Sequence, residues 1–499
     1  MCYHYKALLK RSHKIQLFTS LVKLIEWDQQ ALMPAGGIDI RIQQLELLYS
    51  LIHKESTSIQ FEKVLSKFVD IKTGDPLPTI KDSRKRAALR EWGRDFLLAK
   101  KLSSDFVKTF AMTVSQATNQ WVKAKKDHSF TTFLPHFEKI ISLVQKKAQL
   151  IGWKHHPYDA LLMLYEPGVT TKDLDALFMK LIPFLKQLLQ RMIKKSSPDT
   201  TFLSYDFPKD KQRIFIQYLL KKMGLHPNGF RLDYSEHPFC SGLHPHDIRI
   251  TTNMEWPFFH NLFAVIHEGG HALYEAGLSS DEPGSSLNRC SSFGIHESQA
   301  LWWETYIGSS RPFIQWMLPK LKEIFPKQLS SITFDQFYQT INIVKPSPIR
   351  IFSDEATYIL HIIIRYEIEK ALLEGTLIPA DLPVAWEQKM KQFLGIVPQN
   401  HTEGCLQDIH WARGLFGYFP SYALGKIYSG QIFQTFQQLF PDWEQQISNG
   451  NFIFMNDFFS SNIHRFGREF WPQELIQRIT GSPISSEPLV DYLKKKYQF

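Results

Sequence analysis

His267-Glu268-Gly269-Gly270-His271 is the stretch of this sequence whose residue types and spacing suit chemistry. On an α-helix, positions four apart lie on one face, one turn above each other. His267 and His271 can therefore offer imidazole nitrogens to one metal ion. Glu268 projects about 100° round the helix, away from that ligand direction but within reach of a water beside the ion. This is the HExxH arrangement used for metal-assisted hydrolysis. With 19 His in 499 residues and Glu at about 5%, chance supplies about 0.04 such matches in a chain this long. The competing reading is a helix with two ordinary histidines. The paired glycines cost that helix up to about 1 kcal/mol each relative to Ala, which makes sense if a neighbouring backbone or a substrate must come close.

Catalytic zinc takes three protein ligands and keeps one position open for water. Gly294-Ile295-His296-Glu297-Ser298-Gln299 offers two candidates for the third, Glu297 and His296. Glu297 lies 297 − 271 = 26 residues past the second histidine, enough for a second helix to pack against the first. Adjacent helical residues point about 100° apart, so only one of the two faces the ion.

Five further motifs stand in order along the chain. His237-Pro238-Phe239 matches the pattern HPF, and Asp247-Ile248-Arg249-Ile250-Thr251 matches DxRxT. His296 to Gln299 matches HES-Gln. Ile349-Arg350-Ile351-Phe352-Ser353-Asp354 matches IRxxAD, with Ser353 in place of Ala, and Gly404 to Trp411 matches GxxQDxHW. Trp27-Asp28, Pro157 to Leu162, Tyr165 to Gly168, Phe416 to Tyr422 and Ile463 to Arg465 extend the likeness over nearly the whole chain. With these motifs the sequence resembles the thermostable carboxypeptidase family of metallopeptidases, the carboxypeptidase Taq type. Gly284 to Phe293 is less typical of it, which bears on one wall of the cleft and not on the metal site.

The resemblance implies one divalent metal ion per chain, Zn²⁺ first and Co²⁺ second, held by His267, His271 and Glu297. It implies Glu268 as general base, peptide substrates with a free C-terminus, release of single C-terminal residues, and a homodimer. It also implies a mainly α fold of neurolysin-like build. That is a single large helical body with two lobes around a deep groove and a small β-sheet near the metal.

A carboxypeptidase must grip a carboxylate, and guanidinium pairs with carboxylate bidentately. Arg350 is the leading clamp, its alternative being a salt bridge to Asp354; Arg249 is a second candidate. Tyr418, Tyr422, His410 and His237 are candidate donors to the oxyanion. Asp247 is a candidate for holding substrate backbone or orienting His237. The strand Asp247 to Thr252 is expected to offer an edge to an extended peptide. Ligand histidines usually donate their other nitrogen to a carboxylate or carbonyl. Leu301 stands one turn after Glu297, so Asp354 or Glu355 is the expected partner. An endopeptidase or dipeptidase on the same scaffold is the nearest alternative function. A non-catalytic helical binding protein with a structural metal is the distant one, and it would have no use for Glu268.

The elements that must position these residues are helical. Phe258 to Ala276 reads as an apolar helix carrying the histidines. Phe137, Ile140, Ile141, Val144, Ala148 and Ile151 follow helical spacing and Gly152 is placed to stop it. A helix starts after Thr170-Thr171 with Leu174, Leu177, Phe178, Leu181 and Ile182 on one side, and Pro183 is expected to kink or end it. Ser83 to Leu102 reads as a charged surface helix. Asp247 to Thr252 is the one clear strand. Loops are expected at 74–78, 196–199 and 279–286.

Composition excludes several classes. Hydrophobic residues make up 43%, which is globular and not disordered. Aromatics at 14% suit thick helical cores and the lining of a groove. The net charge of 58 − 49 = +9 is spread in short basic clusters with no concentrated stripe, so no nucleic-acid partner is expected. Cys2, Cys240, Cys290 and Cys405 are too scattered for a disulfide framework and are read as reduced thiols of a cytoplasmic protein. Neither a signal peptide nor a membrane segment is expected. A length of 499 residues suggests about three domains, but the motifs converge on one site, so residues 1–499 are read as one catalytic unit.

Overall fold

A computed structural model describes residues 2–499; the side chain of Cys2 lies outside what it describes, and Cys240, Cys290 and Cys405 are unpaired thiols. The chain is mainly helical with one small sheet, as expected. No helix among the described residues is long and apolar enough to cross a membrane.

The elements needed below are α1 (Cys2–Ala31), α2 (Ile38–Ser56), α3 (Ser83–Lys101), α4 (Phe130–Ile151), α5 (Thr171–Ile193), α6 (Phe258–Gly277), α7 (Phe293–Leu301), α8 (Thr357–Glu374) and α9 (Pro420–Leu439). In α4 all six apolar residues named from the spacing are buried, and Gly152 is the C-cap. Thr170 and Asp173 close a capping box at the start of α5, which satisfies two backbone donors at once. Pro183 does not end α5, which runs on to Ile193. Leu181, Leu185, Leu188 and Leu189 are buried around it, and that packing outweighs the one hydrogen bond a proline removes.

Apolar side chains gather into two cores. The larger takes in α4 to α9. The smaller joins Leu8 of α1, the short helix Ile59–Leu65, Leu287, and Ala87, Ala88, Leu89, Trp92 and Phe96 of α3. The expected charged surface helix therefore has one buried face. Even Glu91 on α3 is only 1% exposed, because Arg90, Arg94 and the Trp471 indole surround its carboxylate.

The sheet has strands β1 (Phe230–Tyr234), β2 (Cys240–His244) and β3 (Asp247–Thr252) in the order β1-β3-β2. β3 runs parallel to β1 and antiparallel to β2. The strand expected to offer an edge is thus the central one, with both edges paired. A β1-to-β3 crossover leaves only that middle place once β2 folds back as a hairpin.

The less typical segment, 284–293, anchors α7. Ser286 Oγ donates to the Ala88 carbonyl at 2.7 Å and Ser291 Oγ to the Phe470 carbonyl at 2.6 Å. Ser292 is the N-cap, accepting from the Ile295 amide at 3.0 Å. These three serines fix where the helix of Glu297 begins.

Candidate metal centre

α6 forms because its apolar residues keep helical spacing: Phe258, Leu262, Val265 and Ile266 are all 5% exposed or less. Each such side chain taken from water contributes about 1.5–3 kcal/mol, which together outweigh the glycine cost of about 1 kcal/mol each. α7 packs across α6, and Gly270 is where they meet. A Cβ at position 270 would stand 2.6 Å from the Gln299 carbonyl oxygen and 2.7 Å from Ala300 Cα. On the other side α9 passes close to the acid, and a Cβ on Gly425 would stand 2.8 Å from Glu297 Cγ.

This close packing brings His267, His271 and Glu297 together, with one donor atom of each lying within 4.8 Å of the others. His267 Nε2 is 3.8 Å from Glu297 Oε1, and His271 Nε2 is 3.6 Å from Oε2. A tetrahedral ion with ligands at about 2.0–2.1 Å sets its donors about 3.3 Å apart, so the three fit one. The opposite nitrogens are already engaged. His271 Nδ1 lies 3.1 Å from the His296 carbonyl. A carbonyl can only accept, so Nδ1 carries the proton and Nε2 presents a lone pair. His267 Nδ1 lies 2.7 Å from Glu304 Oε2.

Electrostatics favour a cation here. Burial lowers the His267 pKa, yet Glu297 and the hydrogen-bonded Glu304 lift it to about 10, so without an ion the imidazole takes up positive charge. Burial, His296 and His267 push His271 the other way. Glu268, 8% exposed, has its pKa raised to about 7 by burial, against the pull of His267.

The partner of His267 is neither Asp354 nor Glu355. Asp354 caps α8, accepting from the Ala356 and Thr357 amides at 2.9 Å. Glu355 is taken by Lys496 and Tyr497, both at 2.6 Å. Glu304 sits in a π-helical turn, Trp302–Gly308, that continues α7. It lies two turns past Glu297, on the same side, where a search of one turn stops short. His296 is not one of the three clustered donors: its ring stacks on His271 at 4.3 Å and its Nε2 meets Glu275 Oε1 at 3.0 Å.

Arg350 is buried and pairs with Asp408, not Asp354: Nε lies at 3.1 Å and Nη2 at 2.8 Å from Oδ1. Arg365, fully buried, binds the other oxygen through Nε at 2.7 Å. Gln407 Oε1 accepts from the Arg350 amide and from Arg365 Nη2. Two guanidiniums thus share one carboxylate, leaving one positive charge uncompensated. Arg350 Nη1 donates to Tyr358 Oη at 3.0 Å, a tyrosine the sequence reading missed.

His410 Nε2 lies 3.2 Å from Tyr422 Oη, and the Tyr418 and Tyr422 rings pack at 5.3 Å. Burial lowers the His410 pKa to about 3, so the ring is neutral near pH 7. Tyr358, Tyr418, Tyr422 and Arg350 all feel or exert the field of Glu297. The substrate candidates on the sheet stand apart from this group. Arg249 pairs with Asp247 at 2.9 Å and covers the Trp27 ring at 4.3 Å. His237 is exposed between β1 and β2. Among the described residues no hydrogen bond or ring contact joins His237, Asp247 or Arg249 to His267, His271 or Glu297.

The Gly270 contact makes a prediction. Gly270→Ala drives a Cβ into the α7 backbone and should cost about 1–3 kcal/mol, with weaker metal binding because α7 must move. Gly269→Ala meets the end of the flexible Met223 side chain at 2.7 Å and should cost less. Thermal melts with and without added metal would check this; equal losses in the two variants would contradict it.

A family model described as the carboxypeptidase Taq (M32) metallopeptidase matches residues 7–497. Carboxypeptidase 1 of Bacillus subtilis (strain 168) is 37% identical, over 98% of this chain and 96% of its own. Thermostable carboxypeptidase 1 of Thermus thermophilus is 36% identical, over 99% and 98%. The solved structure of the Pyrococcus furiosus carboxypeptidase superposes with a TM-score of 0.94 at 32% identity, covering 99% of each chain. The chain belongs to the carboxypeptidase Taq (M32) family and is a metal-dependent carboxypeptidase acting on peptides.

Proposed function

We propose that this enzyme releases single residues from peptide C-termini at an ion held by His267, His271 and Glu297, with residues 1–499 acting as one catalytic unit. The observation that carries this reading is the meeting of those three donors with Glu268 and a charge-excess arginine pair around one acid. The two-nitrogen, one-oxygen donor set suits zinc without excluding cobalt. When bound, a divalent ion supplies a Lewis acid for the scissile carbonyl and makes water nucleophilic at neutral pH.

The protein's own groups do the rest. Glu268 accepts the proton of the attacking water and returns it to the leaving amine. Glu304 and the His296 carbonyl keep each imidazole's Nε2 turned to the ion. Tyr418 or Tyr422, the latter oriented by neutral His410, donates to the developing oxyanion. Arg350, held in place by Asp408, has two of its five N–H donors free for the substrate carboxylate. The shared Asp408 leaves that corner positive, which attracts an anion. His237, Asp247 and Arg249 serve the sheet side of the cleft. The enzyme works in the cytoplasm.

A pair of peptides differing only in a C-terminal amide tests the reading. The free acid should lose residues stepwise by mass spectrometry, and the amide should be cut at least roughly tenfold more slowly. Equal rates would mean an endopeptidase, and cleavage of dipeptides but of nothing longer a dipeptidase.

We also propose a homodimer through α2. Its 19 residues include no buried one, while Ile40, Ile42, Leu47 and Tyr49 are 45–61% exposed. Sedimentation should give a dimer that Leu47→Glu weakens; a monomer at micromolar concentration would dismiss it.

A further inference from the structure

Two turns before His267, on the same face of α6, stands His260. Its ring packs on Phe352 at 4.7 Å and on Trp256 at 5.6 Å, and Trp256 meets Phe352 at 6.5 Å. Phe352 is 51% exposed and Ile351 43%, although both follow directly on the buried Arg350. An apolar cluster left half open costs free energy unless something covers it. Its position is continuous with the metal centre. Glu304, which bonds His267, lies close enough to His260 for each to alter the other's charge. The side chain of Glu304 is itself 35% exposed. Running along α6, the open wall thus passes from His267 to Glu304, then to His260, Trp256 and Phe352.

Burial holds the His260 pKa below its ordinary value, against the opposing pull of the Ile351 backbone and of Glu304, which favours the neutral imidazole. Glu304 is engaged by His267, and beyond it His260, Trp256, Ile351 and Phe352 present neutral, largely apolar surface. Aromatic rings in such clusters prefer offset or edge-on partners at about 4.5–7 Å, the spacing these three already keep. A further ring or branched aliphatic chain would extend the same packing.

We propose that His260, Trp256, Ile351 and Phe352 form the subsite for the side chain of the substrate's C-terminal residue, and that it selects aromatic and large aliphatic side chains. This rests on the reading of Arg350 as the carboxylate clamp. Arg350, Ile351 and Phe352 form one short 3-10 turn, so the clamp and the open cluster are carried by the same three residues. Selectivity then comes from covering Phe352 and not from a hydrogen bond, so it is graded: one methylene in an apolar site is worth roughly tenfold or more in kcat/KM.

The test uses the metal-loaded enzyme and peptides identical except for a C-terminal Phe, Leu, Ala, Asp or Lys. Phe and Leu should exceed Ala, and Asp should be poorest. Phe352→Ala should lower the Phe-to-Ala ratio of kcat/KM about tenfold, and Phe352→Leu should restore most of it. Phe352→Asp should shift preference toward Lys. A ratio unchanged in all three variants would overturn the subsite, as would a change that follows the residue before the scissile bond. Should the parent enzyme release no single C-terminal residue from any of these peptides, the carboxypeptidase reading fails instead, which is a separate result.

Discussion

Glu268→Gln should leave a folded, metal-loaded protein whose peptide hydrolysis falls by about 10²–10⁴, the usual contribution of a positioned general base. Gln keeps the length and helix preference of Glu, and Glu268 does not belong to the three-donor set, so metal content should match the parent. What is lost is the proton acceptor. Stability gives an independent readout in the metal-free protein. Burial raises the Glu268 pKa to about 7, above its unfolded value near 4.5. A carboxyl shifted upward contributes stability below about pH 4.5 that disappears as pH rises through 7. The variant should therefore melt higher than the parent at pH 8 and gain nothing at pH 4. Full activity in Glu268→Gln would remove Glu268 from the mechanism, whatever the metal content.

His271→Ala should abolish activity by removing the metal itself. It deletes one of three donors and strands the His296 carbonyl that His271 Nδ1 meets at 3.1 Å. It also empties the space of a ring stacked at 4.3 Å on His296. A ligand that binds only the folded state stabilises it by about 4 kcal/mol at a thousandfold excess over Kd. For a chain this long that is a rise in Tm of a few degrees. The parent should show that rise with zinc or cobalt and lose both the rise and hydrolysis on chelation; the variant should show neither. A variant that kept the same shift would place the ion elsewhere.

Much of this was legible in the sequence because the signals were local. His267 and His271 four apart, Thr170 opening a helix and the spacing in α4 each depend on a single turn of chain. Glu297 was legible only as one of two neighbours, and it took the family motif to choose it over His296. What stayed hidden was set by partners far off in sequence. Arg350 finds Asp408 fifty-eight residues away, so the acid nearest in sequence, Asp354, was the wrong partner. The edge of β3 is closed by strands on both sides, which its own alternation of residues does not reveal. Glu91 looked like one charge on a solvated helix, yet Arg468 and Trp471 near the other end of the chain help bury it. Pro183 shows that tertiary packing overrides a strong local rule.

The contact at Gly270 bears on which ions this protein would accept. α6 and α7 touch there main chain to main chain, so the helices can slide no closer, and Gly425 of α9 lies against the Glu297 side chain from behind. The spacing of the two helices that carry the donors is therefore set by the backbone, and the donor side chains have little room to adapt around it. Selectivity in such a cage works as a gauge of size. An ion too small for it cannot draw the walls in, and Asp at position 297, one methylene shorter, would leave a gap that no helix movement closes.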